Sequence, residues 1–306
     1  MKSLAIISHK GGAGKTCSAV MLAEECARRG ARTVLVDADR QRGAGLMLGI
    51  DQPNGSVQQT RNPKLRYLCS SGIPLREVPT RASDLLGLFD VAVIDTPSLD
   101  DPLARAWLKY ATHVLMVIPV EPISVRTLDG AEAALEQVAR LNGAIQRVGT
   151  LPTIFDEADS TQRSLLSELA SRLGDDLLQP PIPTDLGLTH RAEQKEERRT
   201  EASEMTRHAY QTIAAGILSR MGVEGLAPVP FTAPPRRTIA AASPPPKSAP
   251  AAAPTLRELG KQDKSEAPVP GVRGATRSLT GIIIGLAVLA VSLLAVIGFQ
   301  LLKGGK

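Results

Sequence analysis

A glycine-rich stretch near the amino terminus constrains the fold of this chain more than any other feature. It follows an apolar run, precedes a helical pattern, and reads Ile7-Ser8-His9-Lys10-Gly11-Gly12-Ala13-Gly14-Lys15-Thr16. Glycines let a backbone approach phosphate oxygens closely, and successive N–H groups at a helix N-terminus attract anions. In this order of residues, Lys15 is predicted to reach the outer phosphates of a nucleotide and the Thr16 hydroxyl to ligate Mg²⁺. The stretch therefore predicts a phosphate-binding loop (P-loop) between a strand and a helix.

The chain up to about residue 222 alternates apolar, strand-like runs with helical patterns. This alternation is typical of βαβ units, and it predicts an α/β fold with a mostly parallel, twisted sheet and helices on both faces. The predicted strands are Leu4–Ser8, Thr33–Asp37, Val91–Asp95, Val114–Val120 and Val148–Ile154. The helices are predicted to begin near Lys15, Pro102, Ser124, Ser160 and Glu201.

The composition of the chain changes after Gly222. Residues 223–277 contain runs such as Ser243-Pro244-Pro245-Pro246, which bury too little apolar surface to offset chain entropy and so predict a disordered linker. The part of the chain after Gly222 also holds 10 of the 36 Lys and Arg residues but only 4 of the 31 Asp and Glu residues. The net charge of +5 therefore comes from the tail, which argues against residues 1–222 being a strongly basic nucleic-acid binder.

An uncharged apolar run occupies residues 278–302 and has basic residues on both sides. About 20 apolar residues suffice for a helix to cross the ~30 Å hydrocarbon core of a bilayer. We therefore expect a transmembrane helix that acts as a C-terminal tail anchor; a buried core helix is the alternative. Because the first residues do not form a signal-peptide pattern, the predicted location is the inner (cytoplasmic) membrane, single-pass, with residues 1–222 in the cytoplasm.

Three carboxylates stand at the ends of predicted strands. Asp37 and Asp39 end the run that begins at Thr33, and Asp95 ends the run that begins at Val91. The carboxyl ends of parallel strands meet at one edge of the sheet, where acidic side chains can hold Mg²⁺ or orient an attacking water. Acidic residues at strand ends can also be ordinary turn residues.

The loop resembles that of the ParA/MinD family of deviant Walker-A ATPases. An ordinary P-loop begins with glycine, whereas Lys10 stands first here, and residues 10–16 match the family pattern Lys-Gly-Gly-x-Gly-Lys-Thr without gaps. From its residue type alone, Lys10 is either a solvated surface charge or a group that serves phosphates on a facing subunit. The resemblance implies ATP and Mg²⁺ as cofactors and a homodimer that holds ATP between two copies, with Lys10 acting in the partner's pocket. It implies a nucleotide site formed by Lys10, Gly11, Gly12, Ala13, Gly14, Lys15, Thr16, Cys17 and Pro183, the last from a segment similar to the one that cradles adenine.

The same resemblance gives roles to the acidic residues. The run Asp37-Ala38-Asp39-Arg40-Gln41 is similar to the family's Asp-x-Asp-Pro-Gln, which implies that Asp39 positions the hydrolytic water and that Asp37 supports the metal shell. The run that ends at Asp95 looks like the Walker-B strand, with Asp95 contacting Mg²⁺. The catalytic residues implied are Lys10, Lys15 and Asp39, and the metal site implied is Thr16, Asp37 and Asp95.

These features predict a slow ATPase that pairs on ATP, is tethered to a membrane, and organises the position or partitioning of DNA, a division site or another cargo. A protein activator or cargo adaptor is an expected partner. The alternative is a non-hydrolysing ATP-dependent scaffold, because Arg40 replaces the family's proline and Cys17 its usual hydroxyl residue. Non-specific DNA binding stays open, since Gly187 stands where relatives that bind the nucleoid carry a basic residue.

Three other classes with related loops fit the chain less well. A bacterial tyrosine-kinase module has a tyrosine-rich tail, and this chain has only three tyrosines. An iron–sulfur ATPase needs a cysteine motif that the spacing of Cys17, Cys26 and Cys69 does not provide. An anion-transport or protein-targeting ATPase needs an additional cysteine or a Met-rich client region that is not recognisable here.

Overall fold

Seven strands form one sheet in the computed structural model, which describes residues 1–51, 55–191 and 202–224. In chain order they are β1 (Lys2–Ile7), β2 (Thr33–Asp37), β3 (Val57–Gln59), β4 (Leu65–Cys69), β5 (Val91–Asp95), β6 (His113–Pro119) and β7 (Gln146–Thr153). Across the sheet they lie in the order β3-β4-β2-β5-β1-β6-β7. The edge strand β3 runs antiparallel to β4, and the other paired strands are parallel.

Helices cover both faces of the sheet. They are α1 (Lys15–Arg28), α2 (Gly43–Leu48), α3 (Val78–Leu86), α4 (Pro102–Leu108), α5 (Pro122–Arg126), α6 (Leu128–Leu141), α7 (Ser160–Leu173), α8 (Leu186–Arg191) and α9 (Glu204–Arg220). On one face, Leu22 of α1 and Ile213 of α9 belong to the same buried cluster. On the other face, Leu85 of α3, Trp107 of α4 and Val138 of α6 belong to a second cluster.

The central strands explain this layered arrangement. Every residue of β2 and β5 is buried, including the β-branched runs around Val34 and Val93. Strands that are apolar on both faces need cover on both faces, and this is the usual state of a parallel sheet. The connections then bring the carboxyl ends of β1, β2 and β5 together, with Asp95 paired in register with Ile6 and with Asp37. Ligands of open α/β sheets bind at this edge.

The predicted fold class is confirmed for the described residues. The predicted bounds of β2 and β5 are exact, and those of β1, β6 and β7 differ by one or two residues at each end. The predicted helix near Ser124 is two helices, α5 and α6, which are separated at Thr127. Strands β3 and β4 and helices α2, α3 and α8 were absent from the prediction.

The predictions about the tail lie almost entirely outside the described residues. The described residues end at Glu224. The predicted linker over 223–277 therefore lies outside them except for its first two residues, and the predicted span over 278–302 lies outside them entirely. Within the described ranges, no helix has both the length and the apolarity needed to cross a membrane.

Candidate nucleotide site

The glycine-rich loop lies between β1 and α1, as its sequence predicts. Gly12 and Gly14 have φ angles of 74° and 85°, in the left-handed region where a side chain is strained. Gly14 is the N-cap of α1, and neither a capping side chain nor an acidic residue in the first turn covers that end of the helix. The N–H groups at this end therefore remain available to an anion.

Hydrogen bonds from neighbouring strands hold the loop in place. The Thr153 hydroxyl, at the end of β7, donates to the Ala13 carbonyl at 2.8 Å. The Ser8 hydroxyl donates to the Lys10 carbonyl at 2.7 Å and accepts from the Lys15 ammonium at 3.0 Å. Lys15 is thus directed back along the loop, over the site predicted for the phosphates. Sequence reasoning missed the anchoring role of Thr153, because it is distant in the chain and carries no motif.

Lys10 points the other way and forms an ion pair within its own chain. Its Nζ lies 2.5 Å from Oε1 of Glu121, which stands between β6 and α5. The two side chains are 48% and 36% exposed. The role predicted for Lys10 is in a partner's pocket, and it stays a prediction. Glu121 was not among the predicted site residues.

Asp95 lies beneath the loop with no exposed surface. Neither of its carboxylate oxygens has a hydrogen-bond partner among the described residues. Burial, reinforced by the negative charge of Asp37, raises the pKa of Asp95 to about 8, although the neighbouring Thr16 hydroxyl and Lys15 ammonium act to lower it. A buried carboxylate of this kind favours a cation, so its environment fits the predicted contact with Mg²⁺.

The described residues contain no group of three or more His, Cys, Asp or Glu side chains that could hold a metal by itself. This is compatible with Mg²⁺, because in phosphate sites Mg²⁺ is usually held by one or two carboxylates together with waters and the phosphates of the substrate. Asp95 and the Thr16 hydroxyl are the side chains whose placement fits such a site.

Asp37 is also fully buried, but its oxygens are occupied. Oδ1 accepts from the backbone N–H of Asp39 at 3.1 Å, and Oδ2 accepts from the N–H of Gly45 at 3.1 Å and from the Tyr67 hydroxyl at 3.0 Å. Burial raises the pKa of Asp37, and the Gly45 and Tyr67 hydrogen bonds oppose this by favouring the charged form. The geometry makes Asp37 the anchor of the segment after β2; its predicted place in the metal shell stays a prediction.

The segment from Asp39 to α2 carries the predicted water-positioning residue. Asp39 Oδ1 accepts from the Gln41 N–H at 2.8 Å. Arg42 has a φ of 54°, which is strained for a residue other than glycine. A Cβ on Gly43 would lie 3.1 Å from Thr16 Cγ2, so this segment packs closely against the first turn of α1.

A cleft of about 680 Å³ opens over the loop, within the size range of small-molecule sites. It brings together Lys10 through Cys17, Asp39 and Pro183, whereas Asp37 and Asp95 lie below its surface. Two hydrogen bonds to Phe155 hold Pro183 there. The Phe155 N–H donates to the Ile182 carbonyl at 3.1 Å, and the Phe155 carbonyl accepts from the Thr184 N–H at 2.9 Å. Lining residues that the sequence did not predict include Met47, Ile154, Leu188 and Tyr210.

The family model described as the CobQ/CobB/MinD/ParA nucleotide-binding domain matches residues 4–197. The chromosome-partitioning ATPase Soj of Thermus thermophilus is 26% identical over 244 residues, covering 72% of this chain and 97% of Soj. The chromosome partitioning protein ParA of Caulobacter vibrioides is 26% identical over 220 residues, covering 61% of this chain and 82% of ParA.

A solved structure supports the same fold. The septum site-determining protein MinD of Pyrococcus horikoshii, solved with Mg-ADP, superposes with a TM-score of 0.61 at 17% identity, covering 73% of this chain and 98% of MinD. The family model spans well over half of this chain. The chain belongs to the CobQ/CobB/MinD/ParA family of nucleotide-binding domains, and within it resembles the ParA and MinD ATPases.

Proposed function

We propose that this protein is an ATP-dependent dimerising switch that hydrolyses ATP slowly. The observation that carries the proposal is the opposite direction of two lysines on one loop. Lys15 is directed inward, to Ser8, whereas Lys10 is directed outward, to Glu121 at the rim. A single nucleotide needs one such lysine in cis. A second lysine on the outer side of the same loop suits the phosphates of a second copy.

The chain's own groups divide the work of phosphoryl transfer. The N–H groups at the start of α1 and the Lys15 ammonium bind the phosphate oxygens, and Thr16 and Asp95 are the side chains suited to hold Mg²⁺. When bound, Mg²⁺ neutralises negative charge on the phosphates. Asp39, in the cleft, orients the attacking water. Lys10 of the second copy adds positive charge, so loss of the outermost phosphate weakens the contact between the copies.

The substitution at Arg40 keeps the non-hydrolysing scaffold as a second candidate. Arg40 is 75% exposed and its Nε lies 3.9 Å from Asp101 Oδ2, so in place of the family's proline, which fixes the backbone φ angle, this position has a side chain held by a weak surface ion pair. A scaffold would pair on ATP in the same way but would release no phosphate.

We further propose that the switch positions or partitions a cargo at a membrane. The cargo role rests on the partitioning proteins that the chain resembles, and the anchor rests on the apolar sequence of residues 278–302. A protein activator or adaptor would supply the cargo, with DNA as one candidate cargo. The location that follows is the inner membrane with the ATPase head in the cytoplasm.

The experiment that tests the switch is a comparison of mass and phosphate release for the full-length protein in detergent. With Mg²⁺ and ATP we expect the mass to double relative to Mg²⁺ and ADP, and phosphate to be released at a slow, constant rate. Pairing without phosphate release would favour the scaffold. A mass that does not depend on the nucleotide would contradict both.

Membrane retention is expected not to depend on ATP. A transmembrane helix does not leave the bilayer within a catalytic cycle, unlike an amphipathic helix on its surface. Full-length protein and its Lys15→Ala variant should therefore stay in the membrane fraction to the same extent after an alkaline wash, and a chain truncated after residue 277 should be released. Loss of the Lys15→Ala variant from the membrane would contradict a permanent anchor.

A further inference from the structure

The outer side of the glycine-rich loop is docked onto one corner of its own chain. Lys10 Nζ contacts Glu121 Oε1, and the same oxygen accepts from the Ser124 hydroxyl at 3.3 Å. One residue earlier, the His9 ring lies against α6, since a Cβ on Gly130 would be 2.6 Å from two of its atoms. Two consecutive loop residues thus contact the region from Glu121 to Gly130.

We propose that Glu121 is a positioning residue that holds Lys10 within its own chain, and thereby sets the protein concentration at which two ATP-loaded copies pair. The inference rests on the proposed pairing function. If Lys10 serves phosphates on a second copy, it must leave Glu121 when the copies pair. Each copy then gives up one ion pair, so Glu121 competes with the partner's nucleotide for the same ammonium.

The exposure of the pair makes this competition reversible. Glu121 is 36% exposed, and Ser124 stays bonded to it, so its carboxylate is not left buried and uncompensated when Lys10 departs. Ion pairs at this exposure contribute little, typically up to about a fivefold change in an equilibrium. Because two such pairs break for each dimer, the factors multiply, and removal of Glu121 should strengthen pairing by about four- to twenty-fivefold.

The test uses Glu121→Gln in the full-length protein, with Glu136→Gln as the matched control. Glu136 lies on α6 and pairs only with the neighbouring Arg140 among the described residues, so the control removes the same charge without touching the loop. Two measurements are made: the protein concentration at half-pairing with Mg²⁺ and ATP, and the rate at which an N-hydroxysuccinimide ester modifies Lys10 without nucleotide, read by mass spectrometry with Lys109 as the internal reference.

We expect Glu121→Gln to lower the half-pairing concentration by about four- to twenty-fivefold and to speed modification of Lys10 about two- to fivefold, with Glu136→Gln unchanged in both. Faster modification with unchanged pairing would overturn the inference and leave the proposed function intact. Unchanged modification, or an equal effect of Glu136→Gln, would also overturn it. If wild-type protein fails to pair on ATP at all, the proposed function itself fails.

Discussion

Replacing Lys10 with alanine is expected to lower ATP hydrolysis by about 10³-fold while leaving the affinity of a single copy for ATP within about threefold. A cationic side chain supplied by a partner is worth about 10³ to 10⁵ in the rate of phosphoryl transfer. Lys10 is directed away from the loop's own phosphate site, to Glu121, so its removal should not disturb binding in cis. The measurements are phosphate release and binding of a fluorescent ATP analogue to dilute, unpaired protein.

The other lysine of the loop is the matched control. Lys15 bonds Ser8 at 3.0 Å, on the inner side of the loop, and Lys15→Ala should therefore weaken binding of ATP itself, by about tenfold or more, since charged hydrogen bonds contribute about 1.5–3 kcal/mol each. The contrast between the two variants separates a lysine that acts in its own chain from one that acts in a second copy. If Lys10→Ala weakens binding to a single copy as much as Lys15→Ala does, Lys10 acts in cis and the proposed pairing has lost its main support.

The parts of the fold that the sequence predicts well are those set by local chemistry. The buried strands β2 and β5 are short, mostly apolar runs that end in Asp37 and Asp95. Their bounds follow directly from where each apolar run begins and ends in the sequence. The glycine-rich loop is similarly local, because the positive φ angles of Gly12 and Gly14 and the following helix are encoded within a few residues.

The parts that were missed depend on contacts between distant residues. Strand β3 has three residues, none of them buried, and pairs only with β4 at the sheet edge, so no periodic pattern marks it. Glu121 and Thr153 reach the loop only through the order of strands across the sheet. Tyr67 is likewise unremarkable in sequence, yet β4 aligns it with β2 in register with Leu35, where its hydroxyl reaches Asp37.

The second large effect is a difference in stability between two alanine variants, Asp37→Ala and Asp39→Ala. Asp37→Ala should lower the free energy of unfolding by about 2–4 kcal/mol, because it leaves the N–H groups of Asp39 and Gly45 and the Tyr67 hydroxyl without their acceptor. Asp39→Ala should change stability by less than about 1 kcal/mol, since Asp39 lines the cleft and, among the described residues, its side chain accepts only from the exposed N–H of Gln41. Denaturant unfolding of full-length protein in detergent measures both.

Measurements of ATP hydrolysis distinguish the role of Asp37 from that of Asp39. Asp39→Ala should bind ATP and pair, but it should release phosphate at least about 10²-fold more slowly, as expected on removal of a group that orients the attacking water. Tyr67→Phe removes one of the three donors from Asp37 and should cost about 1 kcal/mol of stability with hydrolysis largely retained. If Asp37→Ala is instead as stable as Asp39→Ala but loses its response to Mg²⁺, then Asp37 acts on the metal, and the hydrogen bonds to Gly45 and Tyr67 are incidental to its role.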